Sequence, residues 1–286
     1  MVLESLLSPI NAENKSYKAL LYGFLLSLVC AFLALLVFRD RASMVLVFLV
    51  ALGATPLMYS LIKYEEKKDL DGQDESALLK EHSKALSVFG YLFLGTLLAF
   101  ILLYIVLPPA LSTTLFDSQF ESLTVIRGAV TEPASPDSWS DFSDIFLNNV
   151  KVLMFTIIFS FIFGAGAIFI LTWNSSVIAV AIGNYIREQL ATVTSVAGFG
   201  NISNYFSIIG LGLLRYVIHG IPEILGYFFA ALAGGIISVA IIRHDYRSVK
   251  FEHILLDSAN LLAISLGLIF VAAVFEVWIT PIVFPL

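Results

Sequence analysis

Apolar runs of about twenty residues, each with at most one charge, recur along this chain, and they limit its fold more than any other feature. Residues 19–38, 44–62, 86–107, 150–173, 221–242 and 261–282 are each long enough, as helix, to cross a hydrocarbon layer roughly 30 Å thick. No water reaches the backbone there, so every N–H and C=O must bond within the protein, and helices achieve this locally. Charge is scarce to match: 13% of the 286 residues, where a soluble domain carries about 25%. The expected fold is all-α, a polytopic transmembrane helical bundle. With a net charge of −6 and no basic-aromatic cluster, the chain has no footprint for nucleic acid.

The connections set the order of the crossings. "RDRAS" after the first run is short enough to make a helical hairpin with the second. Residues 63–84 mix both signs of charge and read as a solvated loop, with His82 in polar surroundings. Pro108-Pro109 stops the third run, because proline cannot continue a helix. Residues 108–148 then form an acidic connection, with Asp117, Glu121, Glu132, Asp137, Asp141 and Asp144 against Arg127. Trp139 reads there as an interfacial anchor. From Asn174 the pattern turns irregular: a short apolar core reaches Asn184, and 189–214 is crowded with glycine, serine and asparagine. This composition predicts a broken or re-entrant segment around 174–220. "AALAGG" in the next run suits close helix packing, and Cys30 reads as a small buried hydrophobe.

If 174–214 crosses once the chain has seven crossings; if it dips and returns, six. With seven, Lys15, Lys18, Lys63, Lys67, Lys68, Lys80, Lys84, Arg187, Arg243, Arg247 and Lys250 share one face. Arg39, Arg41 and Arg127 take the other, while Lys151 and Arg215 fall at or within runs. The positive-inside rule then favours seven, with a cytoplasmic N-terminus and an extracytoplasmic C-terminus in the cell membrane.

Within this apolar background, "RYVIHGIPEI" places Arg215, His219 and Glu223 four residues apart, on one face if a single helix runs through Gly220 and Pro222. Pro222 frees the Ile218 carbonyl and predicts a kink or a helix start. Glu276 is a further intramembrane acid, and Asn174 and Asn184 are polar groups beside the short segment. Three readings stay open: polar glue between helices, a proton or ion path, and a hydrolytic metal site. The last lacks a second ligand pair at metal spacing. No catalytic residue, metal ligand set or cofactor motif stands out.

"HGIPEILGYFFAALAGG", "AAVFEVWITP" and "TWNSSVIAVAIG" together resemble the stage II sporulation protein M family over residues 145–284. His219, Gly220 and Glu223 match its histidine-glycine…glutamate segment; Glu276, Thr280 and Pro281 its closing segment; Asn174 its asparagine. Ile218 stands where the family has proline and Ser175 where it has glycine. On this resemblance, 149–286 is the family's membrane core, 108–148 an external acidic loop, and 1–107 a three-span extension. Sporulation members act as scaffolds that gather cell-wall hydrolases. The resemblance therefore implies a non-enzymatic membrane scaffold, with the bilayer, other envelope proteins and further copies of itself as partners. The alternative is a transporter or channel that couples ions or protons through Glu223, His219 and Glu276.

Overall fold

The computed structural model describes residues 12–13, 15–70, 75–130, 138–163, 166–197, 202–242 and 249–283. Eight helices account for nearly all of them: α1 (Tyr17–Val37), α2 (Ala42–Leu70), α3 (Glu75–Val106), α4 (Pro109–Val130), α5 (Ser138–Phe163), α6 (Ala167–Ala197), α7 (Ile202–Ile242) and α8 (Val249–Val274). A single 3-10 turn, Arg39–Arg41, closes the α1–α2 hairpin. Helix α8 runs on through a π-helical turn, Phe275–Ile279, into a last α turn, Thr280–Val283. Among the described residues, seven stretches are long and apolar enough to cross a membrane; of the eight helices α4 supplies none.

Span boundaries differ from the sequence reading in the middle of the chain. Residues 150–173, expected as one span, are divided: α5 ends at Phe163 and α6 begins at Ala167. Residues 164–165 fall outside the described residues; in sequence the stretch between the helices is Gly-Ala-Gly, and glycine disfavours a helix interior. The predicted interruption around 174–220 narrows accordingly. Residues 174–197 lie in α6 and 202–220 in α7, both as regular helix, while 198–201 fall outside the described residues. Pro222 does not break α7, which is helical on both sides of it and, at 41 residues, about 60 Å long.

The segment 108–148 also proves helical over much of its length. Ser112, Leu115, Phe116 and Gln119 are buried at i, i+3, i+4 and i+7, one amphipathic stripe that continues across a kink at Phe116. That stripe lays α4 across the α1–α2 turn, where Ser43 and Ser118 share a 2.8 Å hydroxyl hydrogen bond and Gln119 donates to the Ser43 carbonyl. The stretch "TEPASPDSWSDF", 131–142, reads in sequence as turns, but 138–142 form the start of helix α5, and 131–137 fall outside the described residues. At the opposite end of the bundle, α2 and α3 extend into the charged 63–84 segment. His82, expected in solvent, is buried there with Nδ1 2.8 Å from Glu65 Oε2.

Two apolar clusters stack through the bundle. One gathers Leu61, Phe89, Phe228 and the small face Ala230–Ala231–Ala233 of α7; the other gathers Cys30, Phe100, Tyr104, Phe116 and Ile186. The span in α7 is 78% buried against 22% for those in α5 and α8, so α7 is the central rod and the others form its lipid-facing wall. Its small residues permit that position: Ser160 of α5 donates to the Ala231 carbonyl, and Ser265 of α8 donates to the Gly226 carbonyl.

Candidate functional site

Helical spacing puts His219, Glu223 and Tyr227 on one face of α7, and that face meets the π turn at the end of α8. The π turn has a local cause. Pro281 has no N–H for the Val277 carbonyl and its ring crowds that group, so the backbone widens ahead of it. The Thr280 N–H instead reaches the Phe275 carbonyl, five residues back. Glu276 lies inside the widened turn and Thr280 closes it.

Four of the residues singled out in the sequence come together here. His219 Nδ1 lies 3.3 Å from Thr280 Oγ1, joining α7 to the end of α8. Glu276 lies in the π turn against which this part of α7 packs. The Tyr227 hydroxyl donates to Glu223 Oε1 at 2.9 Å, and its ring is fully buried. Tyr227 was missed in the sequence because only ionisable groups within the row were followed; it continues the same four-residue spacing. Gly220 and Pro281 flank the cluster, with open space beside the Gly220 Cα. Arg215 shares the α7 backbone, but its side chain lies outside the described residues.

Asn174 and Asn184 bond elsewhere. Asn174 donates back to the Ile170 carbonyl within α6, and Asn184 donates to Glu188 and lies 3.5 Å from the Tyr104 hydroxyl. Above the cluster, Trp139, Phe142 and Phe146 of α5 pack on Phe270 and Trp278 in mostly edge-on contacts. Trp139 is 71% exposed, which fits the interfacial role expected of it. Among the described residues, no three His, Cys, Asp or Glu side chains converge as a metal ion would require.

The motif order that brought these residues to notice extends over the whole bundle. The sequence profile described as stage II sporulation protein M matches residues 24–281. The chain belongs to the stage II sporulation protein M family. The match begins inside α1, so the family pattern takes in the N-terminal spans that the three motifs left outside it. No curated protein and no solved structure matches the chain. For this family member the site is thus a polar tie between its central helix and its last turn.

Removing the Tyr227 hydroxyl isolates its contribution. Tyr227→Phe keeps the ring and deletes the donor to Glu223, and is expected to cost about 1–2 kcal/mol. The readout is the thermal midpoint of the detergent-purified protein; an unchanged midpoint would deny that hydrogen bond a structural role.

Proposed function

We propose that this protein is a non-enzymatic integral-membrane scaffold that gathers other membrane or envelope proteins and associates with copies of itself. The observation that carries the reading is how the site's polar groups are used. His219 meets Thr280, so this motif pair joins α7 to the end of α8, while Tyr227 meets Glu223 one turn back within α7. Membership of a family whose sporulation members organise partners in the membrane supports the same reading. Cross-linking in native membranes followed by purification is the test. A scaffold returns the same partners in replicate preparations, whereas recovery of this chain alone would count against it.

We place its N-terminus in the cytoplasm and its C-terminus outside. The Arg187 side chain corrects the earlier distribution of charge: it donates to the carbonyls of Ile105 and Leu107, so it shares an end with Pro108 and not with 63–84. This follows from the earlier start of α6, which carries Arg187 to its far end. The remaining basic residues of 63–84 and 243–250 still favour the cytoplasm for those segments. A cysteine introduced at Ser248 should react with an impermeant thiol reagent only after the membrane is opened; labelling of intact cells would reverse the orientation.

One observation favours a second reading. Glu223 and Glu276 are two acids within spans, on elements that pack together, and intramembrane acids serve ion or proton paths in transport proteins. Flux into proteoliposomes that persists in Glu223→Gln and Glu276→Gln variants would remove that role from them.

A further inference from the structure

Between α2, α3 and α6, away from the tie, lies a void of about 10 Å³. Most of its wall is hydrocarbon, including Ala54, Met58 and Phe89, but three hydroxyl-bearing residues also line it: Thr96, Thr172 and Ser175. All three residues are at least nine-tenths buried, at 4%, 3% and 0% exposure. Their protons are unequally placed. Thr96 donates its proton to the Leu92 carbonyl and Thr172 donates to the Ile168 carbonyl, so each retains only acceptor capacity toward the void. Ser175 Oγ has no hydrogen-bond partner.

We infer that this void is a binding site for one structural water molecule, which joins α3 to α6 through these three hydroxyls. The void is about the size one water needs, and an all-hydrocarbon void of that size would stay dry. The donor and acceptor count closes with a single water. Ser175 O–H donates to its oxygen, and its two protons go to Thr96 Oγ1 and Thr172 Oγ1. Three hydrogen bonds are typical of buried water, and without them the Ser175 hydroxyl would bear the full cost of desolvation. The site also gives Ser175 a role of its own at the place where the family pattern has glycine, since glycine offers no hydroxyl to satisfy.

The direct test is an experimental structure of the full chain in lipid nanodiscs, at a resolution that shows ordered water. One isolated peak within hydrogen-bonding distance of Ser175 Oγ, Thr96 Oγ1 and Thr172 Oγ1 is expected. An empty void, or a Ser175 hydroxyl turned onto a backbone carbonyl, overturns the inference. Thermal unfolding gives an independent reading through the cycle of Ser175→Ala and Thr96→Val. A shared water couples the two sites, so the midpoint shift from Ser175→Ala should fall by at least about half in the Thr96→Val background. The same shift in both backgrounds overturns the bridge.

Discussion

Gly95→Val is expected to destabilise the bundle more than any other single change proposed for it. Helices α1 and α3 cross at a reciprocal pair of glycines. A Cβ added at Gly23 would lie 2.6 Å from the Leu92 carbonyl oxygen. One added at Gly95 would fall inside the radius of the Leu20 carbonyl oxygen and 2.8 Å from its carbon. Both obstacles are backbone, which cannot rotate aside as a side chain can, so relief requires the helices to part. Parting them opens the packing around Tyr22, whose hydroxyl donates to the Gly53 carbonyl of α2 at 2.6 Å. Overpacking typically costs about 1–3 kcal/mol, and two extra methyls against backbone put Gly95→Val at about 3 kcal/mol or more. The midpoint in detergent should fall by roughly 6–12 °C, or the protein should fail to purify as a single species. Gly267→Ala is the control: nothing lies near its Cα, and alanine there should be neutral or stabilise by up to about 1 kcal/mol. Equal midpoints for Gly95→Val and Gly267→Ala would show that α1 and α3 do not cross this closely.

Arg187→Ala is expected to have the second-largest effect, about 3 kcal/mol, for a reason that begins at Pro108-Pro109. The carbonyl of Ile105 would ordinarily receive the N–H of residue 109, which is proline and has none. The N–H of Leu111, which could have reached Leu107, bonds to the Pro108 carbonyl instead. The guanidinium of Arg187 supplies the missing donors, reaching the Ile105 and Leu107 carbonyls and, at 3.0 Å, Ser112 Oγ. It also lies over the Tyr104 ring, 4.9 Å from the centroid. Lysine should not rescue the loss, because a point-like ammonium lacks the planar fork that spans several acceptors and stacks on an aromatic face. Midpoints of Arg187→Ala, Arg187→Lys and wild type decide the matter, and a lysine variant as stable as wild type would contradict the capping role.

Seven crossings were legible because bilayer thickness imposes a length on each apolar run, and the runs at 19–38, 44–62 and 86–107 needed little else. What the runs conceal is a turn between two equally apolar helices. Across 150–173 hydropathy never falls enough to mark the division, and Gly164 and Gly166 were the available signal. That one shift in register also moved Arg187 to the other end of the bundle. Helix α4 was hidden for the opposite reason: its acidic residues drew the eye to a loop, although Leu115, Phe116 and Gln119 already had helical spacing. The site was partly legible. The order of motifs pointed to His219, Glu223, Glu276 and Thr280, which lie where α7 packs on the end of α8, whereas Asn174 and Asn184 share a motif or a neighbourhood in sequence but not this site. Tyr227 shows what a search for charges leaves out, since a buried phenol is a hydrogen-bond donor as well as a hydrophobe.

On the proposed scaffold reading, the cluster of His219, Glu223, Glu276 and Thr280 holds the end of α8 against α7 and does not conduct. Proton and cation flux into proteoliposomes holding purified wild-type protein, with a Glu223→Gln/Glu276→Gln double variant beside it, tests this most directly. Wild type and variant should both leave flux at the level of protein-free liposomes. Flux in the wild type that disappears in a folded double variant would contradict it.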